Sequence, residues 1–192
     1  MENVYLDVLD IHDIEKVRIW RNEAAKEGVY RTPYLLTRNM QLKFFEEVVC
    51  NRNSNSRYLA IRKKEENFVD IISEKNKLIG IAGLTGIQWE NRIAEIALTL
   101  SPEYVGKGYG KQSFILVLTE GFSNLNLINV YGECYYCNPK IKFWEKMIID
   151  FNGYKTMLPA RKYFKGILYN SLYFNFNKYE FEQEDGGNTC EK

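Results

Sequence analysis

Gly106, Gly108 and Gly110 alternate with Lys107 and Tyr109, and Lys111 follows, at the junction between an apolar strand-like run and a run with helical spacing. Glycine lets the chain turn sharply and lets a ligand come close to main-chain N–H groups. Those groups, together with the first amides of a helix, converge as partial positive charge on one point, which suits a phosphate or pyrophosphate. Two familiar phosphate loops do not fit. GxxxxGK followed by Ser or Thr would need glycine at Val105 and a hydroxyl at Gln112, and GxGxxG would need glycine at Lys111. A plain glycine-rich turn between strand and helix is the alternative. A second candidate precedes the loop. In residues 92–100, RIAEIALTL, Ala94, Ile96, Leu98 and Leu100 share one face, while Ile93, Glu95, Ala97 and Thr99 share the other. Glu95 is thus a carboxylate in mid-strand, available as a general base or as an ordinary solvated or ion-paired side chain.

Cys134 and Cys137 form a CxxC, but structural zinc takes four ligands and His12, the only histidine, is remote in sequence. No metal is expected, and reduced thiols are the default without a secretory leader. The balance of 26 Lys and Arg against 25 Asp and Glu, a net charge of +1, lacks the footprint of a nucleic-acid binder. The start, MENVYLDVLDIHD, is no signal or transit peptide, and no run approaches the roughly 20 apolar residues that span a bilayer. A cytoplasmic protein with neither nucleic-acid nor membrane partner is expected.

The elements that must hold these groups follow from periodicity. Residues 3–9 alternate as a strand, Asp10 reads as a helix cap, and Ile11, Ile14 and Val17 continue at helical spacing to Trp20. NEAAKEGVYRTPYLL reads as a loop leading to Thr37, a second cap, before Met40, Phe44 and Val48 mark one helical face. Strands follow at 57–63, 78–84 and 92–100, with KEENFVDIISEKN between the first two as a possible hairpin. After the glycine loop come a helix through Phe114, Val117, Leu118 and Phe122, and a strand at 128–135. Asn138-Pro139 supplies a cap and first-turn proline for a helix through Ile141, Trp144, Ile148 and Phe151, and 167–177 alternates strictly. The order β-α-α-β-β-β-α-β-α-β-β implies a mixed α/β fold, α+β in character, with helices on both faces of the sheet. One domain over residues 1–179 and a disordered acidic tail, 180–192, are expected.

The stretch AEIALTLSPEYVGKGYGKQS resembles the signature of the GNAT superfamily of acyl-CoA N-acetyltransferases, whose loop reads Gln/Arg-x-x-Gly-x-Gly/Ala, with its small residues at Gly108 and Gly110. NPKIKFWEKM, residues 138–147, is similar to the family's Asn-Pro-x-x-x-x-Tyr-Glu-Lys stretch, and IWRNE, residues 19–23, to the ribosomal-protein-acetylating branch. The element order matches over residues 3–177. The resemblance implies a twisted, mostly antiparallel sheet with a splayed parallel central pair. It also implies acetyl-CoA as co-substrate and a primary amine as acceptor, an amino sugar, a polyamine or a protein N-terminus, attacked directly in a ternary complex by a monomer or homodimer.

By the same resemblance, the cofactor arm would pair with Leu98, Thr99 and Leu100, and its diphosphate would lie on the loop of Val105, Gly106, Lys107, Gly108, Tyr109, Gly110 and Lys111, with Asn138 and Trp144 nearby. Glu95 would serve as base. Two positions depart from the family: Val105 replaces the usual Gln or Arg, and Trp144 replaces the tyrosine that protonates the departing thiolate. Indole N–H only donates hydrogen bonds. Either the thiolate leaves without a protein acid, or another phenol such as Tyr135 or Tyr136 serves, or the chain is a non-catalytic acyl-CoA-binding module. Tyr30, Arg31 and Tyr34, with Arg161, Lys162 and Tyr163 of the late hairpin, are the expected acceptor-side residues.

Overall fold

The computed structural model describes residues 3–64 and 76–184. The chain runs β1 (Val4–Val8), α1 (Ile14–Lys26), α2 (Arg38–Phe44), β2 (Arg57–Lys64), β3 (Asn76–Gln88), β4 (Ile93–Leu100), α3 (Tyr109–Thr119), β5 (Asn129–Tyr135), α4 (Ile141–Asp150), β6 (Tyr154–Phe164), β7 (Ile167–Asn177) and α5 (Lys178–Glu184). Both α2 and α3 widen into a π-helical turn at their C-terminal ends, Phe45–Val49 and Glu120–Asn124.

Among the described residues the strands form one sheet in the order β1-β2-β3-β4-β5-β7-β6. Every neighbouring pair is antiparallel except β4–β5. The alternation of β4 is used as expected. Ala94 and Ile96 face a core with Val130, Leu172 and Phe174, closed over by Phe114, Val117 and Leu118 of α3 and by Met147 and Ile148 of α4. A second cluster, Leu9, Val17, Ala60, Leu78 and Ile81, lies with Trp20 under α1. Helices therefore cover both faces. Each large core side chain carries much of the stability: truncating a buried Phe such as Phe114 costs about 3–5 kcal/mol.

Several expected boundaries move. Asp10 does not cap α1; Asp13 precedes the helix, and its carboxylate is drawn to Arg62 at 2.8 Å instead of capping. Asp10 makes the turn before it, accepting from His12 N at 2.9 Å. Residues 22–26, expected in a loop, continue α1, since Ala24 and Ala25 favour helix. Thr37 caps α2 as expected, its hydroxyl accepting from Met40 N at 3.2 Å. Asn138, three residues before the helix starts at Ile141, caps a turn instead of α4, accepting from Lys140 N at 2.9 Å. Residues 180–184, expected in the tail, form most of α5, because Phe181 (4% exposed) inserts between Phe122 and Phe151. The expected hairpin between β2 and β3 and the rest of the tail fall outside the described residues. No helix among those described is long and apolar enough to cross a membrane.

Candidate active site

The parallel pair β4–β5 is short. It runs through Ile93–Asn129, Ala94–Val130 and Glu95–Tyr131 and then ends, while β3 stays paired with β4 as far as Leu100. From Ile96 to Leu100 the backbone groups of β4 on the β5 side have no strand partner among the described residues, and polar main-chain groups out of water require one. A ligand carrying amides can supply it.

The glycine loop stands at the end of this opening. Gly106 and Gly108 have φ of 79° and 84°, and a Cβ on either would meet nothing within 4 Å. Their role is conformational freedom beside open space. Gly108 precedes α3, whose first backbone bond joins Gln112 N to Gly108 O at 3.4 Å. The amides of Tyr109, Gly110 and Lys111 therefore carry no helical partner, and those of Gly106 and Lys107 have no backbone partner among the described residues. Five amides beside a helix N-terminus and an unpaired strand fit a diphosphate followed by an amide-bearing arm.

Loop and opening belong to one cleft of about 1390 Å³. Of the expected cofactor residues, Leu98, Thr99, Leu100, Val105, Gly106, Gly108, Gly110, Lys111, Asn138 and Trp144 line it. Lys107 and Tyr109 do not. Tyr109 packs against Tyr104 with ring centroids 5.8 Å apart, and the Lys107 ammonium sits 5.5 Å from the Tyr104 ring. The Lys111 ammonium is engaged by Asp150 at 2.7 Å. Trp144 stacks on Phe174, centroids 4.9 Å apart, and meets Phe143 edge-on. It is a wall of the cleft held by aromatic packing.

At the other end Glu95, Glu133 and Tyr135 project from β4 and β5 into the cleft. Arg31 Nη2 lies 2.5 Å from Glu95 Oε1 and 3.9 Å from Glu133 Oε2. Glu133 Oε1 also accepts from Arg161 Nε at 3.0 Å and from Ser171 Oγ at 2.7 Å. Burial pushes the Glu133 carboxyl up, but these hydrogen bonds and the Arg161 and Arg31 charges outweigh it and hold the group below the usual range. Burial and then the Glu133 charge raise the Tyr135 phenol, with Arg31 and Arg161 opposing, so it stays protonated at neutral pH. Glu95, the expected base, is thus ion-paired.

Of the expected acceptor residues, Tyr30 lines the cleft and its hydroxyl meets Thr99 Oγ1 at 3.1 Å. Tyr34 and Tyr163 do not; they are 72% and 71% exposed. Glu133 escaped notice in the sequence, although alternation in INVYGECY sets it with Tyr131 and Tyr135 opposite the buried Val130 and Cys134. Glu23 and Glu27 of the α1 region also reach the cleft. The CxxC takes no part: burial pushes the Cys134 thiol up to about 12, opposing a metal- or redox-competent thiolate. Cys137 Sγ rests on Gly28 O at 3.7 Å.

Residues 3–142 match the family model "Acetyltransferase (GNAT) domain". The chain is 27% identical over 124 residues to the uncharacterized N-acetyltransferase p20 of Bacillus licheniformis, covering 64% of this chain and 68% of that protein. It is 36% identical over 76 residues to the spermidine N(1)-acetyltransferase of Vibrio cholerae, covering 40% of this chain and 43% of that protein. The fold is shared with the crystal structure of spermidine N-acetyltransferase from Vibrio cholerae in complex with CoA and spermine. The TM-score is 0.78 at 17% identity, over 94% of this chain and 99% of that one. These matches do not single out the ribosomal-protein-acetylating branch. With a family match over most of its length, and a splayed strand and glycine loop where an acyl-CoA would lie, the chain belongs to the GNAT family and is an acyl-CoA-dependent N-acetyltransferase.

Proposed function

We propose that the chain acetylates a primary amine of a small cationic acceptor of the polyamine kind, by direct attack within a ternary complex with acetyl-CoA. The observation that carries this reading is the continuity of the cleft, from the free amides of the glycine loop to the carboxylates Glu95 and Glu133. Glu23 and Glu27 add acidic character farther along, and Tyr30 and Tyr58 give flat walls for an alkyl chain. The likeness to a spermidine acetyltransferase agrees with an acceptor of several ammonium groups. The similarity of IWRNE to the ribosomal-protein branch makes a protein N-terminus the competing acceptor, and an amino sugar is the third. A single domain, residues 1–179 with the remainder of α5, in the cytoplasm is part of the same reading.

Acetyl-CoA supplies the acetyl thioester. The amides of Gly106 to Lys111 would hold its diphosphate and the open edge of Leu98, Thr99 and Leu100 its amide-bearing arm. An alkylamine is mostly protonated at neutral pH, lysine's pKa being about 10.4. Glu95 is assigned the removal of that proton, directly or through water, with Arg31 fixing the direction of its carboxylate. Tyr135 Oη, kept protonated, is assigned the hydrogen bond or proton that the departing sulfur needs.

The test mixes protein and acetyl-CoA with spermidine, glucosamine and a peptide with a free N-terminus, and follows thiol release and product mass. Spermidine is expected to be acetylated fastest; preference for the peptide would move the acceptor to protein N-termini. The non-catalytic acyl-CoA-binding module that Trp144 left open gives way to the enzyme with the family match. CoA alone should stabilise the protein by about 2.7 kcal/mol at 100 times the dissociation constant.

A further inference from the structure

Successive side chains of a strand point to opposite faces, yet Arg161 and Lys162, neighbours on β6, both serve the acceptor end of the cleft. A bulge is responsible. β6 pairs Leu158 with Ser171 and next Lys162 with Tyr169, so Pro159, Ala160 and Arg161 stand opposite Asn170 alone. Pro159 has no N–H to leave unpaired. Ala160 turns at φ 55°, and its N–H donates to Asn170 Oδ1 at 3.0 Å. Bulges of this kind re-aim side chains. Arg161 is delivered to Glu133, and Lys162 is turned inward until it is 5% exposed.

A buried ammonium is expensive unless its protons are met. Lys162 Nζ donates to the main-chain carbonyls of Tyr30 at 2.6 Å and Arg31 at 3.0 Å, and lies 5.5 Å from the centre of the Tyr135 ring. Because the acceptors are main-chain atoms, the ammonium sets the course of the segment. The two side chains it carries are the ones that meet Thr99 and Glu95. An apolar side chain would fill the same volume without the desolvation cost, so filling space does not account for a lysine here.

We propose that Lys162 is a positioning residue for the acceptor end: its ammonium fixes the main chain at Tyr30 and Arg31 and, through Arg31, the Glu95 carboxylate. The inference deepens the acetylation reading and depends on it only for the kinetic part of the test. In Lys162→Met, amide hydrogen exchange in residues 28–33 should accelerate about tenfold, the scale of a lost charge-assisted hydrogen bond, with the sheet unchanged. The turnover number with spermidine should fall by a similar factor while CoA affinity by calorimetry holds, and Lys162→Arg should recover most of both.

Lys162→Met combined with Arg31→Gln should be no slower than the slower single variant, since both act through one contact. Unchanged exchange in 28–33, exchange rising evenly across the protein, or multiplying kinetic losses would each overturn the proposal. Should Lys162→Met not fold, Asn170→Ala removes the carbonyl that holds the bulge. It should give the same localised acceleration, and its absence would be equally fatal. If the wild-type protein neither binds CoA nor acetylates an amine, the function reading fails, and the exchange measurements still decide the role of Lys162.

Discussion

Arg31 and Glu95, 64 residues apart in sequence, meet at 2.5 Å on the acceptor side of the splayed strand. The contact joins the loop after α1 to the centre of the sheet. It holds one carboxylate oxygen, and in the proposed mechanism the other takes the substrate's proton.

Arg31→Gln should therefore act on rate more than on stability. The guanidinium is 60% exposed, and pairs screened to that degree contribute about 0.2–1 kcal/mol. A misdirected base costs far more, on the order of tenfold to a hundredfold in turnover. Steady-state kinetics beside a thermal melt separates the two, and a large loss of melting temperature with normal turnover would contradict the orienting role.

Glu95→Gln removes the proposed proton acceptor while keeping the side chain's shape. Turnover should drop most at neutral pH and recover as pH rises toward the amine's own pKa, about 10.4 for a lysine-like amine. Calorimetric affinity for CoA should not change. A pH–rate profile parallel to wild type would remove Glu95 from the chemistry.

Gly108→Ala probes the loop. The added methyl meets no atom within 4 Å, so any effect comes from the left-handed φ of 84°. That conformation costs an L-residue about 1–2 kcal/mol. The loop should relax, and CoA affinity should fall by about tenfold, with the fold retained by circular dichroism.

Much of this site was legible in the sequence. The alternation of β4 separated Glu95 from its apolar neighbours, and the glycine spacing located the loop, because both signals are local and periodic. What was hidden depends on distant partners. Asp10 and Asp13 read as equally good caps, and only the fold puts Asp13 at the start of α1 with its carboxylate on Arg62. Glu27, next to the end of α1, reads as loop until the fold sets it on the wall of the cleft that Glu95 also lines. Tyr34 and Tyr163 lie in the right segments but point to solvent; past the bulge at Ala160, Lys162 turns inward and its strand neighbour Tyr163 faces out.

Glu133 makes stability depend on pH. Burial works against its charge, but Arg161, Ser171 and Arg31 depress its folded pKa below the usual carboxylate range. A depressed carboxylate contributes stability above its unfolded pKa and loses it as pH falls through the folded value. Wild type should lose more melting temperature between pH 7 and strongly acid pH, on the order of pH 3, than Glu133→Gln, whose amide does not titrate. Equal slopes for the two proteins would refute the assignment.

Trp144 stands at the family's usual donor position while Tyr135 is the phenol assigned to the departing sulfur, and paired substitutions test that assignment. Trp144→Phe keeps an aromatic ring against Phe174 and loses the indole N–H together with part of the ring system. Turnover should stay within about threefold of wild type, a change below 1 kcal/mol. Tyr135→Phe keeps the ring under the Lys162 ammonium and deletes the phenol. If the phenol supplies the proton, turnover should fall by about a hundredfold, the lower end of general acid catalysis. A thioester with a more acidic thiol needs less help in leaving, so the deficit of Tyr135→Phe should shrink with such a donor. If both variants match wild type with every donor, the sulfur leaves without a protein acid, and the amides and dipoles around the splayed strand carry its charge.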